Sequence, residues 1–284
     1  MNSNVLLENL TFPECPRWHD GVLYFSDVHA HKIIRVDAHG NASTVLDDAH
    51  QPAGLGWAPD GSMLFVRMTE RTLMRRDAAT GDITTVADLS ALEQVQLNDM
   101  TVDARGRAYI GAFGFDINAG DKPATANIFL VQPDGAVAVA ADSMRFPNGM
   151  VITPDGRTLI VAETIARCLT AFDIAADGTL SNRREWAPLA TFPDGICLDA
   201  EGAVWAAAPV TGECIRVREG GEITDKITVE GVEGKGVYAC MLGGEDGRTL
   251  YLCTAKTTGP ELVQGISTGW LETARVDVPH AALP

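Results

Sequence analysis

Short apolar runs alternate with glycine-containing turns along the whole chain. VLYFSDV, MLFVRM, AYIGAF and TLIVAET are brief, rich in β-branched and aromatic residues, and bounded by Gly, Pro or Asp. Alternation over so few residues predicts strands rather than helices. A longer unit recurs six times: an apolar run, a Gly-containing turn, a second apolar run and further short strands. Its copies open with ECPRWHDGVLYFSDV, AGLGWAPDGSMLFVRM, NDMTVDARGRAYIGAF, NGMVITPDGRTLIVAE, DGICLDAEGAVWAAAP and YACMLGGEDGRTLYLCT. The copies begin about 40–50 residues apart, the period of four-stranded propeller blades. The DG, RG and EG pairs sit where hairpins need positive φ, so Asp20, Asp60, Asp155 and Asp246 read as turn residues.

Third and fourth strands follow in five copies, for example KIIRVDA and STVLDD in the first. The sixth has only WLETARVDV, whereas an unpaired strand, VLLENLTF, precedes the first copy. Residues 5–12 are therefore expected to supply the fourth strand of blade six, closing the ring and removing an exposed edge. The expected architecture is all-β: one six-bladed β-propeller domain over residues 1–284, closed by the N-terminal strand. Insertions at 115–125 and 256–268 fall between second and third strands of blades three and six, where loops could cover a pocket.

Composition narrows the partners. The net charge of −16 is spread along 284 residues and repels phosphate backbones and anionic lipids, so neither nucleic acid nor membrane is expected. No apolar run approaches the roughly 18 residues of a membrane span. MNSNVLLENLTF lacks the basic and apolar segments of a secretory signal, which points to a cytoplasmic protein. Cys15, Cys168, Cys197, Cys214, Cys240 and Cys253 form no C-x-x-C pair and are expected as reduced core thiols.

Candidate chemistry emerges when the copies are aligned on the residue before each first strand, usually Pro. The next residue reads Glu14, Ala53, Asn98, Asn148, Asp194 and Val237. First strands line a propeller's central channel, so these positions form a ring on one face. Four of the six carry a side-chain oxygen, and blades two and six are apolar. Carboxylates packed together without a partner are costly, and a cation resolves the conflict. Oxygen donors suit a hard or borderline dication, with Ca, Mg, Mn, Zn and Fe left undistinguished.

The same residues carry a family resemblance. FPECPRW, LNDMTVDARGRAYIGAFG, FPNGMVITPDGRTLIVAE, FPDGICLDAEGAVWAA and CMLGGEDGRTLYLCTA resemble the senescence marker protein (regucalcin), gluconolactonase and luciferin-regenerating enzyme family. The resemblance implies a six-bladed propeller with one divalent cation on its axis and, in many members, hydrolysis of sugar lactones. It implies Glu14, Asn148 and Asp194 as direct metal ligands, Asn98 as a further ligand or substrate contact, and Asp194 as catalytic base. The implied reaction opens a small, sugar-type lactone by metal-activated water. Relatives often carry Arg where this chain has Gln96, which puts a sugar substrate in doubt. Gln96 and Phe113 are further candidate substrate contacts, with Phe115 a second possible pocket wall.

Other features are weaker. Glu163 stands where relatives often have Asp and could reach the pocket, but is expected rather on the second-strand surface or behind the pocket. GISTG (265–269) matches a serine-nucleophile motif but lies in an expected propeller loop, not a strand-to-helix turn. His29 and His31 read as turn or surface residues, Asp99 as a partner orienting Asn98, and Trp18 and Trp57 as inter-blade packing. Two rival functions remain open: organophosphate-type ester hydrolysis on the same metal platform, and a non-enzymatic cation-binding or interaction propeller. Oligomeric state is not readable.

Overall fold

The structure is a computed structural model describing residues 2–116, 119–256 and 266–281. Its strands form six four-stranded antiparallel sheets, the blades of a β-propeller. Each of blades one to five uses four consecutive strands, beginning with Pro13–His19, Pro52–Trp57, Leu97–Val102, Pro147–Ile152 and Ile196–Leu198. Blade six holds Lys235–Gly243, Thr249–Lys256 and Gly269–Arg275, with Asn4–Leu10 as its outer strand. The N-terminal strand pairs from Asn4 opposite Thr273 to Leu10 opposite Gly269, so the expected closure is present. It stops at Leu10, short of residue 12. Thr11 and Phe12 turn inward and donate their N–H groups to the Asp27 carboxylate (3.0 and 2.8 Å), which delivers the chain to blade one.

The core lies between blades. One cluster joins Phe25, Trp205, Tyr251 and Leu271 from blades one, five and six; another joins Leu64, Val66, Met100 and Phe129 from blades two and three. Inner strands are covered on both faces, and every residue of Lys235–Gly243 is buried. Outer strands such as Ala42–Asp47 leave much of their length in water. Trp18 stacks on Tyr251 of blade six (5.7 Å), and Trp57 stacks on His19 of blade one (4.0 Å), as inter-blade packing requires. All six cysteines are free and buried. The hairpin aspartates cap their own turns: Asp60, Asp155 and Asp246 each accept the N–H two residues on.

First strands pack in a closed cycle, one on two and onward to six on one. In blades one to four and in blade six, the pairing of first with second strand shifts register just after the candidate ring position, for example between Glu14 and Arg17 and between Pro147 and Met150. A bulge there locally breaks the alternation of inward and outward residues.

Of the inserted loops, residues 117–118 and 257–265 lie outside the described residues, as does Gly265 of GISTG. No described helix is long and apolar enough to cross a membrane.

Candidate functional site

Backbone register puts five of the six aligned positions at one end of the channel, and in blade five Asp194 N donates to the Ala207 carbonyl (2.9 Å) beside the end of the second strand. Pro13, Pro52 and Pro147 pair with the last residue of their second strands, Asp27, Arg67 and Glu163; Leu97 pairs with Ala112 and Gly236 with Ala255. Contacts between successive blades run through these positions. Ser26 Oγ donates to the Ala53 carbonyl (2.9 Å), linking blades one and two. Asn98 Nδ2 donates to the Pro147 carbonyl (3.1 Å), Gly149 N to the Asp194 carbonyl (3.2 Å) and Gly195 N to the Tyr238 carbonyl (2.7 Å). Phe12 meets the Tyr238 ring edge-on at 4.7 Å, joining blade six to blade one. Glu14, Asn98, Asn148 and Asp194 therefore stand around one axis. Gly149 and Gly195 permit this approach: a Cβ would lie 2.5 Å from Ile196 N in the first case and 2.5 Å from the Ala239 Cβ in the second.

The amides are oriented by their nitrogens. Asn98 Nδ2 is engaged by the Pro147 carbonyl, and Asn148 Nδ2 donates to Thr164 Oγ (3.3 Å), which itself donates to the Pro193 carbonyl (2.8 Å). Neither amide oxygen accepts a hydrogen bond from a described residue. Glu14 accepts Cys15 N at one oxygen (3.0 Å), and the Asp194 carboxylate accepts nothing from the described residues although it is buried. Burial, with Asp99 adding to it, pushes Glu14 up to about 8. Asp194 is raised well above the carboxylate range by burial and then by the Glu14 and Asp99 charges. One buried and one half-buried carboxylate that repel each other, flanked by two amide oxygens that accept nothing from the described residues, form an oxygen donor set that a hard dication fits. Among the described residues no three His, Cys, Asp or Glu side chains gather into a metal-type cluster, so such a site depends on its amides.

The mouth above this ring is asymmetric. Cys15, Val28, Ala53 and Met68 form an apolar cluster against which Phe12 and Phe113 pack, covering blades one to three. Val28, Met68, Phe113 and Thr164 each follow a second strand, so blade four places a hydroxyl where its predecessors place apolar groups. Gln96 is half-buried and its carbonyl accepts Phe113 N (3.0 Å), which sets these two candidates side by side. Phe113 and Phe115 both contact Phe146.

Some residues play other parts than expected. Asp99 does not orient Asn98: it binds the Arg17 guanidinium (2.8 Å) and Met100 N (2.8 Å) on the channel side below the ring. Arg17, which the sequence did not single out, also donates to the Met100 and Pro16 carbonyls. Burial disfavours its charge, but the pair with Asp99 raises its pKa overall. It thereby separates the ring from a cavity of about 330 Å³ at the opposite mouth, lined by Trp18, Trp57, Met150, Met241 and His280. Glu163 is buried rather than on the surface and binds Arg145 N, Thr170 Oγ and Arg183. It anchors the incoming strand of blade four as Asp27 anchors that of blade one. His31 ends a 3₁₀ turn and contacts the Ala49 carbonyl (3.1 Å), while His29 lies against Phe12. Tyr238 was also missed, because the alignment assigned blade six the neighbouring Val237.

The family model described as "SMP-30/Gluconolactonase/LRE-like region" matches residues 12–256. The chain belongs to this family. Among SMP-30/gluconolactonase/LRE-like proteins, it is 25% identical to a 6-deoxy-6-sulfogluconolactonase of Pseudomonas putida over 95% of this chain and 93% of that protein. It is 29% identical to a regucalcin of Danio rerio over 61% of this chain, a match spanning only 59% of that relative. The fold superposes on a calcium-binding protein, regucalcin, of Agrobacterium tumefaciens with a TM-score of 0.82, at 21% identity over 100% of this chain and 97% of that one.

Proposed function

We propose that this protein is a divalent-metal-dependent lactonase that hydrolyses a small cyclic ester. The observation that carries the reading is the oxygen ring: Glu14 and Asp194, whose ionised forms burial disfavours, facing two amide oxygens that accept no hydrogen bond from the described residues. Kinship with a sulfogluconolactonase supplies the substrate class. Kinship with a calcium-binding propeller supports the cation.

Glu14, Asn148 and Asp194 are the ligands in this reading, and Asn98 is a further ligand or a contact to the substrate. The chemistry supplied by a divalent cation in this cage is Lewis acidity toward an ester carbonyl and acidification of water. Asp194 acts as the base: one carboxylate oxygen accepts the proton of the attacking water as its oxygen bonds to the carbonyl carbon. When the ring C–O bond breaks, the same oxygen returns the proton to the departing alkoxide, leaving a hydroxy acid. Gln96 and Phe113 contact the substrate from blade three, the first as a neutral hydrogen-bonding group and the second as a wall. The apolar arc of Phe12, Val28, Met68 and Phe113 sheds water from one side of the mouth and favours a lactone with few hydroxyls on that side.

The test is a lactone panel assayed beside an aryl phosphotriester, before and after metal removal. Turnover of a lactone that is lost on chelation and restored by a dication supports the reading. Preference for the phosphotriester would move the assignment to organophosphate-type hydrolysis, and inactivity on both would move it to a cation-binding or interaction propeller.

A further inference from the structure

The Tyr238 hydroxyl is buried and has no hydrogen-bond partner among the described residues, and the side chain as a whole is only 7% exposed. Buried hydroxyls are nearly always paired, so an unpaired one next to a candidate site calls for a ligand. Tyr238 follows Val237, the blade-six member of the ring, and its ring is held edge-on by Phe12 of blade one. Its backbone carbonyl is fixed by Gly195 N, the residue after Asp194. Tyr238 is therefore linked through its backbone to blade five, which carries Asp194, and through its ring to Phe12 at the entrance of blade one, which carries Glu14. Burial, followed by the charges of Asp194 and Glu14, raises its pKa, which keeps the O–H a donor.

We infer that Tyr238 is a catalytic residue whose O–H donates a hydrogen bond to the ester carbonyl oxygen as it becomes an oxyanion. The inference rests on the lactonase reading above. No proton leaves Tyr238. Water oxygen bonds to the carbonyl carbon, the carbonyl π pair moves to oxygen and is held by the Tyr238 O–H, and Asp194 takes the water proton. Collapse restores the C=O, breaks the ring C–O bond and returns that proton to the alkoxide. Blade six thus contributes a polar group after all, from the position next to the one the repeat alignment identified.

The test is Tyr238→Phe, which removes one oxygen and preserves the ring packed on Phe12. A donor aimed at an oxyanion is expected to cost about 100-fold in kcat with KM within about threefold. Because the hydroxyl has no partner to lose among the described residues, the variant's Tm is expected to equal or exceed that of wild type, and its affinity for the dication to be unchanged. A kcat within threefold of wild type overturns the inference and leaves the lactonase reading standing. A lowered Tm with lost metal also overturns it, since the hydroxyl would then be structural. No wild-type turnover on any lactone overturns the lactonase reading and this inference together.

Discussion

Glu14 and Asp194 are held in the folded chain with a higher proton affinity than they have in water, chiefly because burial disfavours their charge. The consequence for stability has a definite sign. A carboxyl that binds its proton more tightly when folded opposes folding once ionised, so its penalty is absent below the ordinary value of 4.5, grows as pH rises, and levels above about 8 for Glu14. In metal-free protein, Glu14→Gln is therefore expected to gain stability relative to wild type as pH climbs through that window. Thermal melts of both proteins in chelator check this, and a gain that shrinks with rising pH contradicts it. With a dication present the ordering is expected to reverse, since in the proposed reading the variant lacks a ligand and should lose on the order of 100-fold or more in affinity, the upper end of what even indirect partners contribute. Asp194→Asn is expected to lower lactone turnover by roughly 10²–10⁴-fold, as loss of a general base does. A variant that keeps near-normal turnover with metal bound removes the base assignment. The convergence of the four ring residues was legible in sequence because each stands at the entrance to its blade's first strand. Asp99 was misread because the bulge between Leu97 and Met100 redirects the side chains there, and it serves Arg17 rather than Asn98. Tyr238 and Arg17 were not legible, since their directions depend on bulges that alignment of the repeats does not reveal.

At the scale of elements, closure of blade six by Asn4–Leu10 joins the two ends of the chain. Leu6, Leu7 and Leu10 pack on the cluster shared by blades one, five and six. Deleting residues 1–10 uncovers the edge of Gly269–Arg275 and gives up about 4 kcal/mol of apolar burial by the usual area relation. Equilibrium denaturation should register a loss of that order together with a tendency to self-associate through the bared edge. An unchanged midpoint would mean that the outer strand contributes nothing. Pairing of this strand was foreseeable from a count of strands per repeat, but its end was not, because Asp27 captures Thr11 and Phe12 through contacts distant in sequence. Close passage of first strands also has a consequence. Gly195→Ala would set a Cβ 2.5 Å from that of Ala239, so the strands must separate. This is expected to cost about 1–3 kcal/mol as overpacking and to weaken dication binding from a position that offers no ligand atom. Calorimetry and metal titration of the variant measure both, and wild-type values for the two would show that the ring tolerates a wider neck.

For the whole molecule, six similar sheets make a scaffold on which equivalent positions converge without any of them being near in sequence. Specialisation then comes from which blades place oxygen on the axis and which place carbon. Blades one, three, four and five supply polar ring residues, with the Thr164 hydroxyl added by blade four, whereas blades one to three cover the mouth with Val28, Met68 and Phe113. Arg17 and Asp99 pair between the ring and the cavity at the opposite mouth, so substrate is expected to enter from the face carrying the ring. The most direct measurement of the central claim is lactone turnover by protein stripped of metal and then reconstituted with individual dications. The account predicts that stripped protein is inactive, that one or more hard dications restore hydrolysis at a stoichiometry of about one per chain, and that Glu14→Gln abolishes the restoration. Full lactone turnover by metal-free protein would contradict it.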